Sequence, residues 1–146
     1  MPAVMGSNIP DQGVTSRMLN LTAITADVTA NETTTSTTYT DLATSGPANT
    51  VSSGVTQDHL ITISAQGKPA NSGFAYINVA VAAAAPSSGD ATEALVGTSG
   101  AAANYALASR SVLASAVATG AVHTMKYRVS TGTGEFAQRR VITVAL

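Results

Sequence analysis

Two histidines, His59 and His123, are the side chains best suited to acid–base chemistry, because imidazole exchanges protons near neutral pH. His59 follows Asp58 directly, the one local histidine–carboxylate neighbourhood. A serine hydrolase needs a serine, a histidine and a carboxylate that converge in space, and with so many serines some will neighbour a histidine by chance. Both histidines therefore read as structural. Metal binding is no better supported, since no pair among His59, His123 and the scattered carboxylates has ligand spacing on one element. Gly132-Thr133-Gly134 lacks the Lys-Ser/Thr of a phosphate loop and reads as a turn. Asn20-Leu21-Thr22 and Asn31-Glu32-Thr33 match glycosylation acceptors, but in a Thr-rich chain such matches arise by chance. A carbohydrate hydrolase would need a paired-carboxylate motif that the sequence does not display. The expectation is a protein that is not an enzyme and uses no cofactor or metal.

The basic residues point elsewhere. From Arg110 onward the chain holds Arg110, Lys126, Arg128, Arg139 and Arg140 against Glu135 alone, whereas the other acidic residues run from Asp11 to Glu93. A tight turn at Gly132-Thr133 folds 121–146 into a hairpin with Val129 opposite Phe136, Tyr127 opposite Gln138, Met125 opposite Arg140 and His123 opposite Ile142. That register sets Lys126 opposite Arg139, with Arg128 on the same face. Like charges across a strand pair need compensation. Lys126, Arg128 and Arg139 are accordingly candidate partner-binding residues, facing carboxylates of another chain.

Strands must position these side chains. Asn31 to Asp41 is a Thr-rich run whose β-branched residues disfavour helix and whose lack of bulky apolar residues marks an edge or exposed strand. His59 to Ala65 alternates, with Ile61, Ile63 and Ala65 on one face and Leu60, Thr62 and Ser64 on the other. Gly73 to Ala84 is apolar on both faces, the pattern of a strand lying between a core and a neighbour, here another copy. Residues 101–119 are ambiguous. Their alanines favour helix, yet Tyr105, Leu107, Leu113 and Val117 alternate with Ser109, Ser111 and Ser115 on the same parity, and a strand is expected over Ser109 to Val117 after a short helical turn. Counting turn signals yields roughly eight strands, the pattern of an all-β, jelly-roll-like antiparallel sandwich over residues 21–146.

Residues 1–20 have no sustained period and carry Pro2, Pro10, Gly6 and Gly13, the marks of an extended N-terminal arm. Its isolated apolar residues Val4, Met5, Ile9, Val14, Met18 and Leu19, with Arg17, are candidate anchors on a partner.

Composition narrows the class. The 146 residues suit one domain, but only 10% are charged and 4% aromatic, so burial between copies would supply apolar area that six aromatics cannot. A net charge of −1 argues against a nucleic-acid partner. There is no cysteine, no apolar run long enough for a membrane span, and no secretory signature at the start of the chain, which predicts synthesis in the cytoplasm.

Two segments carry a resemblance. Lys126 to Leu146, with YRVS and GTGEFAQRR, resembles the closing segment of small β-sandwich virion proteins of tailed bacteriophages of actinobacteria; Thr33 to Val51, TTTSTTYTDLATSGPANTV, resembles their opening strand and loop. Gly13 to Thr22 is similar to a short segment that precedes the sandwich in phage fibre and decoration proteins. The resemblance implies a structural role on the virion surface. A homotrimeric capsid decoration protein bound to the major capsid protein comes first, and a tail-fibre or tail-tip module contacting a host surface receptor second.

Overall fold

The structure, a computed structural model, describes residues 23–52, 54–69, 73–98 and 104–146. Among them there is no helix. Nine strands form: β1 (Ala23–Val28), β2 (Glu32–Thr34), β3 (Ala48–Thr50), β4 (Gln57–Pro69), β5 (Phe74–Ala80), β6 (Ala94–Thr98), β7 (Ala106–Val117), β8 (Val122–Val129) and β9 (Gly134–Ala145).

They build two antiparallel sheets. Sheet A has the order β1-β9-β4-β7, with β2 pairing β9 beyond the end of β1, and sheet B has the order β3-β8-β5-β6. Setting the short β2 aside, eight strands divide four and four in the double Greek-key order of a jelly roll. The core lies between the sheets. Ile61, Ile63, Ala65, Phe136 and Val141 reach in from sheet A, and Ala75, Ile77, Val79, Val96, Met125 and Tyr127 from sheet B. The alternation expected for His59 to Ala65 holds, and β4 runs on to Pro69 where a loop was expected. The strand expected over Ser109 to Val117 forms and begins earlier, at Ala106, so residues 106–108 are strand where a short helical turn was expected.

Two features depart from the expected pattern. The first is the C-terminal hairpin, which does not form: β8 pairs with β3 and β5, β9 pairs with β1, β2 and β4, and residues 130–133 arch from one sheet to the other. Gly132 does hold positive φ (71°), but the turn it permits separates the strands instead of pairing them.

The second is a bulge at Gln138, whose φ is 47°. Opposite it, the register of β4 shifts between Ser64 and Gln66. One extra residue inverts the parity of everything after it. Phe136 therefore shares the inner face with Arg139, Val141, Thr143 and Ala145, while Arg140, Ile142 and Val144 turn outward.

The sheets approach closely where β4 faces β6. A Cβ on Gly97 would lie 2.7 Å from Pro69 Cδ and 3.2 Å from Lys68 Cα, and one on Gly67 would lie 2.7 Å from Val96 Cγ1. Glycine is required at this pinch.

Candidate functional site

The histidines meet. His59, on β4, and His123, on β8, are both fully buried, and Nδ1 of the first lies 2.7 Å from Nε2 of the second, so one hydrogen bond crosses between the sheets. The Ala82 N–H points to His123 Nδ1 at 3.4 Å, which makes that nitrogen an acceptor and His123 Nε2 the donor. His59 then carries its proton on Nε2, which has no hydrogen-bond partner within the chain. Burial lowers the pKa of both rings, that of His123 to about 4, with the neighbouring His59 adding to the effect; for His59 the charge of Asp58 opposes burial without overcoming it. Asp58 itself accepts the Ala116 N–H at 2.8 Å. Beside the pair, the buried Asn49 on β3 donates to Ile24 O (2.7 Å), Val141 O (3.1 Å) and Thr143 Oγ1 (3.3 Å). The group is a polar inter-sheet clamp of neutral imidazoles and an amide.

The cations expected to face another chain each have a carboxylate in their own. Lys126 Nζ lies 2.8 Å from Asp41 Oδ2. Arg128 is held by Glu93 through Nε (3.0 Å) and Nη2 (2.7 Å), stacks 4.0 Å from the Tyr76 ring centroid, and shares Glu93 with the Tyr39 hydroxyl at 2.7 Å. Hydrogen bonds and charge from Glu93 and Tyr39 outweigh burial and raise the Arg128 pKa. Burial, then Glu93, pushes the Tyr39 phenol well above its ordinary value.

Arg139 is on the other sheet and fully buried. Its Nη2 sits 2.7 Å from Glu32 Oε2, and its guanidinium carbon lies 5.4 Å from the Tyr127 ring centroid, while Nε and Nη1 have no hydrogen-bond partner. Burial opposes ionisation of Glu32, but the Thr44 hydrogen bond and Arg139 prevail and hold its pKa below the usual range. Lys126, Arg128 and Arg139 thus do not share a face. The bulge turned Arg139 inward, the arch carried β8 to the opposite sheet, and compensation is internal.

The outer side of β5 is partly covered by its own chain. Asn78 and Ala80 are buried there, Thr92 Oγ1 donates to Asn78 Oδ1 at 2.8 Å, and the Tyr39–Glu93–Arg128 group closes over Tyr76, while Phe74 at the start of the strand and Leu95 on the neighbouring β6 stay exposed. Tyr105 bonds through its hydroxyl to Glu135, which pushes its pKa up to about 12.

Among the described residues the outer face of sheet A carries the two most exposed leucines, Leu107 and Leu113. Cross-strand register puts Ala23, Val144, Leu60 and Leu113 in one row, and Asp27, Arg140, Ser64 and Ser109 in another. Leu107 is 72% exposed, Leu113 59% and Leu60 37%. A cleft of about 500 Å³ opens over the Gln138 bulge, lined among others by Asp27, Ser64, Gln66, Leu107 and Arg140. Sequence reasoning noted the parity of Leu60 and of Leu107 and Leu113 but not that they join on one surface, which depends on β4 and β7 being neighbours. The arm candidates Val4, Met5, Ile9, Val14, Arg17, Met18 and Leu19 lie outside the described residues. Among the described residues no cluster of three His, Asp or Glu could hold a metal ion. Compared with protein-family models and with curated proteins, the chain finds no match.

Proposed function

We propose that the chain is a structural protein of a bacteriophage virion, a homo-oligomeric capsid decoration protein seated on the outside of the capsid and bound to the major capsid protein. The observation that carries this reading is the outer face of sheet A. It presents leucines in register on a sheet whose opposite face is core, the arrangement expected of a surface that assembles. The jelly-roll topology supports it, as viral capsid domains share that fold with lectins and cupins. The segments Thr33 to Val51 and Lys126 to Leu146, with their resemblance to actinobacteriophage virion sandwiches, choose among those classes.

In this role the protein acts mechanically, bridging neighbouring capsid subunits and adding buried area across joints that internal pressure opens. Residues 1–20 act as the tether. An extended segment spans up to about 3.3 Å per residue, long enough to reach a neighbouring subunit with Val4, Ile9, Val14 and Leu19 as anchors. A trimer was expected partly because β5 needed covering by another copy. Its own chain covers Asn78 and Ala80 there, and the leucines of sheet A offer a further surface for contact between copies.

Adding purified protein to particles that lack it tests the reading, with electron microscopy locating the density. Density on the capsid, with raised resistance of particles to heat, is expected, and a chain shortened to begin at Leu21 should fold yet fail to decorate. Density on the tail would favour a receptor-binding module instead, for which the polar cleft beside Leu107 is the natural ligand site.

A further inference from the structure

The four sheet edges of the sandwich differ in kind. In sheet B the edges are β3, of 3 residues, and β6, of 5 residues with a register shift beside it. On one side of sheet A the edge is divided between β1 and β2 and carries Asp27 and Glu32. The remaining edge is β7, 12 residues long, without proline or glycine and with Arg110 as its single charge. Among the described residues β7 pairs with β4 alone. Natural proteins shorten, interrupt or charge such an edge because its free N–H and C=O groups are a template for another strand. Here three edges are short or divided, whereas β7 carries one arginine and a bulge at Ala116 (φ 52°) that leaves 106–114 as a regular open edge.

The sequence of that edge is close to a palindrome. Ala106 to Ala114 reads A-L-A-S-R-S-V-L-A, symmetric about Arg110 except that Ala108 answers Val112. In an antiparallel pair of identical strands with the two-fold axis at Arg110, Leu107 faces Leu113 of the second copy and Ser109 faces Ser111. The sum of paired positions is even, so outward residues stay with outward residues and inward with inward.

We infer that two copies of this chain associate through β7, edge to edge and antiparallel about Arg110, joining their A sheets into one continuous sheet. The row Ala23, Val144, Leu60, Leu113 of one copy then continues into Leu107 and Gln66 of the other. About an axis at Arg110 residues 106–114 of the two strands overlap, at about 3.4 Å per residue an edge about 30 Å long and roughly 12 Å tall, so pairing covers on the order of 700 Å² in total, the size of a weak, transient interface. A net charge near zero does not oppose it. Arg110 against its own counterpart does, although its guanidinium is drawn aside to donate to Ala91 O. Salt should therefore strengthen this dimer by screening that repulsion, the reverse of its effect on attractive ion pairs. The inference stands on the edge itself and does not depend on a capsid role.

The chain has no cysteine, so a single introduced thiol reports the register without interference. Across the proposed axis the two Cα atoms of position 110 lie about 4.5–5.5 Å apart, within disulfide reach, whereas those of position 111 lie roughly 8 Å apart, beyond it. In a glutathione redox buffer Arg110→Cys is expected to form a covalent dimer at least about tenfold faster than Ser111→Cys. Sedimentation equilibrium of the unaltered chain should show a monomer–dimer equilibrium, weakened at least about tenfold in the Leu107→Lys/Leu113→Lys variant, with its urea midpoint unchanged. Equal coupling rates for the two cysteine variants would overturn the inference, as would a chain that stays monomeric at 100 µM or so. A trimer without coupling at position 110 would overturn it too while leaving the capsid reading untouched.

Discussion

The chain of hydrogen bonds from the Ala82 N–H through His123 to His59 is complete only with both rings neutral: a proton on His123 Nδ1 would oppose the Ala82 N–H, and one on His59 Nδ1 would oppose the His123 Nε2–H. Protonating either ring places a charge between the sheets. The folded pKa lies below the unfolded value of 6.5, to about 4 for His123, so the unfolded chain binds the proton first. The stabilisation is fully present above pH 6.5 and is lost as pH falls toward about 4. Urea unfolding should report a loss of about 2–3 kcal/mol between pH 7 and pH 4. In a His59→Leu/His123→Leu variant that slope should vanish, and flat wild-type stability from pH 7 to pH 5 would count against the clamp. Arg139 and Glu32 make a second residue-scale case. Glu32→Gln leaves a buried guanidinium without its counter-charge and should cost about 3 kcal/mol, whereas Arg139→Met removes charge and demand together and should cost far less. Calorimetric melting of the two variants would order them, and equal losses would place the Arg139 side chain in solvent.

Among the elements, β9 carries the largest consequence per residue. Its bulge rests on Gln138 in a left-handed conformation that glycine adopts without cost. Gln138→Gly should leave stability within about 1 kcal/mol of the parent, whereas deleting Gln138 sends Ile142 and Val144 inward, Val141 and Thr143 outward, and should abolish folding. Circular dichroism distinguishes these outcomes directly. At the pinch between β4 and β6, Gly97→Val should cost about 1–3 kcal/mol in urea titration, because the atoms it meets include the backbone of Lys68. This element scale is also where reading the sequence reached its limit. The inner parity of Ile61, Ile63 and Ala65 was legible from alternation alone, as was the inner set His123, Met125, Tyr127 and Val129 of β8. Arg139 was misplaced because glutamine does not announce a bulge. The arch at Gly132 was misread because a positive φ says that the chain turns, not whether the flanking strands then pair. For the candidate surface, Leu60 was legible as lying on the face opposite Ile61 and Ile63, whereas the outward facing of Leu113 and its adjacency to Leu60 are properties of strand order, which no local pattern encodes.

At the scale of the whole molecule, the pairing of β9 with β1, β2 and β4 has a consequence in time. Sheet A is assembled around β9, which follows the other eight described strands in sequence, so while the chain leaves the ribosome β1 and β4 wait for a central partner that does not yet exist. Sheet B can close earlier, since β3, β5, β6 and β8 all precede it. Chains arrested before Gly134 should therefore be digested by protease at concentrations that spare chains arrested well past Ala145. Pairings this distant in sequence also place folding among the slow, non-local class, on the order of milliseconds to seconds. Throughout that interval β4 exposes Ile61 and Ile63 with an open side where β9 will lie, and a chaperone has its window there.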